Sequence, residues 1–162
     1  MRSIQSLEKI FFLVIVISLG YIAYNWYQSY LFKTNPLSAD IQKRVEQREA
    51  EVLSLIYKKY KIRPHIPLVI SDEFHSSLYG LTTYENGKIE ISLNKKRFKE
   101  SVDYMIEEVI PHEYAHAMVF ILAEQSSKDG HTKAWQRICL ELDGLSCERY
   151  VDNEEIIRQK IY

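Results

Sequence analysis

Between Lys9 and Lys33 the chain runs for 23 residues, 10–32, without one charge. At about 1.5 Å per residue, a helix of that length reaches about 35 Å. That is enough to cross a hydrocarbon layer of about 30 Å with some tilt. Tyr24, Trp26, Tyr27 and Tyr30 stand where an interfacial aromatic belt would be. The segment therefore reads as one transmembrane helix over 10–32, after an N-terminal tail over 1–9 and before a linker over 33–37. A cleaved signal peptide is the rival. The apolar run continues past Ser18-Leu19-Gly20 through Tyr21–Tyr24, which favours an uncleaved anchor. Arg2 and Lys9 on one flank nearly balance Lys33, Lys43 and Arg44 on the other. The topology leans only slightly toward a tail inside and a domain outside.

What remains, 38–162, is the length of a single domain. The whole chain has a formal net charge of −1, which lacks the electrostatic footprint of a nucleic-acid binder. After the break at Asn35-Pro36, Ser38 is placed to cap a helix. Ile41, Val45, Val52, Leu55 and Ile56 then recur at helical spacing to about Tyr60. Leu68-Val69-Ile70 reads as a short buried strand. Residues 78–84 and 88–93 flank Glu85-Asn86-Gly87, and an Asn-Gly pair between β-prone runs signals a hairpin. Lys95-Lys96-Arg97 reads as a solvated turn. A second helix is expected over about 101–124, kinked or freshly begun at Pro111. Ser126–Gly130 reads as a loop, and a third helix over about 132–142 should stop at Gly144. One more short helix is expected in the tail to Tyr162. The fold class is α+β, with a helix, a small sheet with a hairpin, then C-terminal helices.

The second helix carries His112-Glu113-Tyr114-Ala115-His116, an HExxH string. Histidines at i and i+4 lie one above the other on a helix face, so two imidazoles can reach one ion. Glu113 sits one residue round, free to act on a water without being a ligand. Zinc lowers the pKa of a bound water toward about 7, and a neighbouring carboxylate can take its proton. A catalytic zinc site also needs a third protein ligand. A histidine six residues after His116 is absent, since Leu122 stands there. His131, 15 residues after His116, and Glu141, 25 after, remain as alternatives. His65 and His75 read as structural or exposed. Cys139 and Cys147 are expected as buried free thiols. A disulfide would need a chain turn at Gly144 and an oxidising compartment. Tyr79 or Tyr84 could steady an oxyanion, though spacing selects neither.

Ile110-Pro111-His112-Glu113-Tyr114-Ala115-His116 followed by Gly130-His131-Thr132-Lys133-Ala134-Trp135 resembles the SprT-like (Spartan-type) zinc metalloprotease domain. Gly80 and the run Ile89-Glu90-Ile91-Ser92-Leu93-Asn94 also resemble the family's segment before its zinc helix. The similarity spans roughly 38–144. Thr132 stands where the family usually has glycine, and the anchor is not typical of it. The resemblance implies a small zincin-like fold and one catalytic Zn2+ held by His112, His116 and His131, with Glu113 as general base. It implies a protein or peptide substrate in extended form along an edge strand, for which residues 88–93 are the candidate. It also brings in the family's role on proteins crosslinked to DNA. The near-neutral charge, and the expectation that this chain carries no C-terminal zinc ribbon or DNA-binding extension, make nucleic acid an unexpected partner. The expected function is a membrane-anchored zinc metallopeptidase, bound to the bilayer through 10–32. The competing readings are a non-catalytic, membrane-tethered zinc-binding or adaptor domain and a DNA-linked protein-repair protease.

Overall fold

The computed structural model describes residues 2–73, 78–123, 130–145 and 147–148. The chain divides into two compact units, Met1–Leu37 and Ser38–Tyr162. The first is a single helix, α1 (Arg2–Thr34), which takes in most of the expected 1–9 tail. Its stretch Leu7–Thr34 is long and apolar enough to cross a membrane, and none of it is buried within the protein. Two of its polar side chains bond back along the helix: Asn25 Nδ2 donates to Tyr21 O at 3.0 Å, and Thr34 Oγ1 to Tyr30 O at 3.0 Å. Such a helix suits a membrane anchor, and a signal sequence has the same length and composition.

The second unit is mixed α and β. Helix α2 (Ala39–Tyr60) is capped by Ser38, whose hydroxyl accepts from the Ile41 N–H. It ends at Lys61 in the left-handed region, with the Lys61 N–H donating to Tyr57 O at 3.0 Å. It buries Val45, Val52 and Ile56, an apolar stripe at spacings of seven and four. Three strands follow: β1 (Leu68–Ser71), β2 (Gly80–Glu85) and β3 (Lys88–Asn94). Asn86 and Gly87 close the β2–β3 hairpin with φ of 51° and 78°. Positive φ at both central residues is what a tight two-residue hairpin turn requires.

The sheet order is β1-β3-β2, with β1 parallel to β3 and β2 antiparallel to it. Strand β3 is therefore central, and the expectation that residues 88–93 form an edge is corrected. The alternation of Ile89, Ile91 and Leu93 shows which face is buried but not how many neighbours the strand has. Leu68 pairs beside Ile91 on one flank and Thr82 on the other. Among the described residues, β1 and β2 are the edges.

A 3-10 turn (Lys95–Lys99) leads out of the sheet. Lys95 is buried against Asp72 at 3.4 Å and Arg97 pairs with Glu100 at 2.7 Å, so this segment is less solvated than its charges suggest. The expected second helix is one helical run in three parts: α3 (Val102–Tyr104), a π-helical turn (Met105–Val109) and α4 (Ile110–Ile121). Pro111 explains the irregularity. It has no N–H to give, and its ring crowds the carbonyl four residues back in a regular helix. The widened turn just before it accommodates both.

Helix α4 is the centre of the unit, burying Ile110, Pro111, Tyr114, Ala115, Ala117, Met118 and Val119. The Tyr114 hydroxyl donates to Glu49 Oε1 at 2.7 Å, which pins α4 to α2. Helix α5 (Lys133–Glu141) is capped by Thr132 and buries Trp135, Ile138 and Cys139. Cys139 and Cys147 form a disulfide, so neither is the free thiol expected. The chain reverses through Asp143 (φ 59°), and Gly144 N–H donates to Cys139 O at 3.1 Å. A methyl at Gly144 would lie 2.7 Å from both sulfurs, so glycine is what lets the bridge close. The expected tail helix, most of the 126–130 loop and His75 lie outside the described residues.

Candidate metal centre

His112 and His116 stand on the first two turns of α4, and His131 on the segment just before α5. The Thr132 cap, which accepts from Trp135 N–H at 3.2 Å, sets where α5 begins and so where His131 is held. His112 Nε2 lies 3.3 Å from His116 Nε2 and 3.1 Å from His131 Nε2. One ligand atom from each ring lies within 4.8 Å of the other two. A tetrahedral ion with bonds of about 2.0–2.1 Å to nitrogen has ligand–ligand edges of about 3.3–3.4 Å. Three imidazoles at this spacing fit such an ion.

The electrostatics agree. Burial pushes the His112 imidazole down to about 3, with His116 and His131 adding repulsion. Burial and His131 together push His116 down to about 4. At neutral pH both rings are thus neutral, with lone pairs available to a cation. Trp135, almost fully buried, forms the floor. Its ring centroid is 4.7, 5.3 and 4.5 Å from those of His112, His116 and His131, and its Nε1–H donates to His112 O at 3.3 Å. Gly130 completes the wall, since a methyl there would come within 3.2 Å of His116 Cε1.

Glu113 turns toward the sheet and is buried. Thr82 Oγ1 on β2 lies 2.7 Å from Glu113 Oε2 and 2.9 Å from Glu113 O. Gly80, two residues earlier on the strand, would place a methyl 2.6 Å from Glu113 Oε1. Burial drives the Glu113 carboxyl up to about 7 against the lowering effect of the Thr82 hydroxyl. A carboxylate near neutrality can both take and return a proton.

Glu141, the alternative third ligand, is elsewhere. It accepts from the Tyr60 hydroxyl and lies 3.9 Å from Arg137. The two tyrosines have other partners: Tyr79 OH donates to Glu100 Oε2 at 3.1 Å under the Arg97 guanidinium, and Tyr84 stacks on Phe120 at 5.3 Å. His65 is exposed, as expected. Sequence reasoning missed Thr82, which carries no local signal because its role arises from packing β2 on α4. No curated protein and no solved structure matches the chain. The model of the SprT-like family does match, over residues 41–154, which take in the whole sheet, Glu113 and all three histidines; the chain belongs to that family.

Proposed function

We propose that this protein is a membrane-anchored zinc metallopeptidase that hydrolyses peptide bonds of protein substrates. The observation that carries the reading is the convergence of three imidazole nitrogens, with a buried carboxylate that is not one of them on the residue following His112. His112, His116 and His131 would hold the ion. When bound, zinc supplies Lewis-acid polarisation of water and of the scissile carbonyl. Glu113 takes a proton from the attacking water and delivers it to the leaving amine. The outer edge of β2 runs beside Glu113 and offers main-chain hydrogen bonds to an extended substrate, which favours breadth over sequence selectivity. This replaces β3 as the substrate strand.

Full-length protein loaded with one zinc equivalent in detergent should cleave an unfolded protein such as casein. Chelation should abolish cleavage and added zinc restore it. A loaded preparation that leaves the substrate intact would favour the non-catalytic adaptor reading instead.

The anchor and the disulfide together support a domain on the oxidising side of the membrane, with α1 as a single span. A domain placed there would not meet the chromosome, which sets the repair role aside. Cys139 and Cys147 are the only cysteines. Both are buried in their bridge, so the reporter is a cysteine placed at the exposed Lys58: on intact cells an impermeant maleimide should label Lys58→Cys and leave wild type unlabelled. Labelling only after lysis would reverse the topology.

A further inference from the structure

Glu113 has three rotatable side-chain bonds, and a general base works only while one oxygen is aimed at the proton it must take. Two residues of β2 hold it. The Thr82 hydroxyl donates to Oε2 at 2.7 Å. The same hydroxyl lies 2.9 Å from Glu113's own backbone carbonyl, so Thr82 is tied to α4 whichever oxygen accepts its single proton. Gly80, on the same face of the strand, has only a bare Cα against Oε1, Cγ and Cδ, where a methyl would fall at 2.6, 2.8 and 2.9 Å. Strand β2 cannot easily shift, because Thr82 is registered to Ile91 and Gly80 to Leu93, both fully buried.

We propose, resting on the peptidase reading, that Thr82 is a positioning residue for Glu113: its hydroxyl fixes Oε2 while the absent side chain of Gly80 leaves Oε1 room to act. The edge strand that would present the substrate backbone is then the strand that orients the base. Substrate and base are set by one rigid element, before the substrate arrives.

The test uses full-length, zinc-loaded protein in detergent and a fluorogenic peptide cut from casein. Thr82→Val keeps the shape and removes the donor. It should lower kcat by about 10–100-fold, with KM and zinc affinity unchanged within about twofold. Thr82→Ser should recover kcat to within about threefold of wild type. Gly80→Ala acts from the other side, pushing the carboxylate rather than releasing it, and should also lower kcat at unchanged zinc affinity. It serves as the second variant should Thr82→Val fold poorly. Crystal structures of the zinc-loaded proteins should show the Glu113 carboxylate turned in Thr82→Val relative to wild type. The proposal is overturned if Thr82→Val keeps wild-type kcat, if serine does no better than valine, or if the carboxylate is unmoved. Should Glu113→Gln itself remain active, Glu113 is not the base and the positioning role falls with it, whereas a zinc-loaded wild type without activity is what fails the peptidase reading. An inactive Glu113→Gln beside a fully active Thr82→Val would sink the positioning role alone.

Discussion

Glu113→Gln should be inactive and, without metal, more stable than wild type at alkaline pH. The amide keeps the shape and still accepts from Thr82, but it cannot take a proton. General-base catalysis is worth about 10²–10⁴-fold, so kcat should fall by that much with zinc still bound. The stability half follows from burial. The Glu113 carboxyl is raised from 4.5 to about 7 in the fold. A raised pKa stabilises below the unfolded value, and that contribution is lost as pH rises through the folded one. Between about pH 4.5 and pH 8, wild type should lose about 3 kcal/mol relative to Glu113→Gln, at 1.36 kcal/mol per unit. His112 and His116 are shifted the other way, so their contribution is present above about 6.5 and lost as pH falls. They titrate alike in both proteins and drop out of the difference. Denaturant melts of the two metal-free proteins at a series of pH values would measure it. A difference that stays flat would mean that the carboxylate is not charged at a cost in the folded state.

This conflict between stability and function is also why the centre could be read from the chain while its setting could not. The HExxH string is local: helix geometry alone brings His112 and His116 together, and the neighbouring position of Glu113 follows from the same period. The Asn86-Gly87 turn is local too, since positive φ at both residues selects that pair. His131 needed the family resemblance, because nothing in 15 residues of spacing distinguishes it from Glu141. Three features depended on more than local periodicity. The flank on which β1 joins β3 follows from the crossover, and a buried alternation of isoleucines is compatible with an edge or a central strand. The π turn is a compromise between Pro111 and a core that keeps the helix continuous. The disulfide depended on a reversal through Asp143 and Gly144 that a glycine stop signal announces without giving its direction.

Trp135→Ala tests whether the metal centre and the core are one structure. The indole is 1% exposed and touches all three histidine rings. Removing it from a packed interior should cost about 3–5 kcal/mol in the metal-free protein, since the backbone of α4 and α5 can close the void only in part. The rings would also lose the surface that orients them, and loss of such support lowers metal affinity by about 10–100-fold. Ligand stabilisation grows as the logarithm of concentration over Kd, so at one saturating zinc concentration the variant forfeits a further 1.4–2.7 kcal/mol or so. The defect should therefore be larger with zinc than without it, the reverse of what a remote core cavity gives, where zinc stabilises both proteins equally. Trp135→Phe separates packing from hydrogen bonding. It keeps a ring on the floor and loses only the Nε1–H to His112 O, a carbonyl that the helix itself also uses. Its cost should be about 1 kcal/mol, plus the smaller ring's lost contact. Thermal melts with and without zinc, and zinc competition against a chelating dye, measure both quantities. Equal losses in the two conditions would show that Trp135 supports the core and leaves the histidines to arrange themselves.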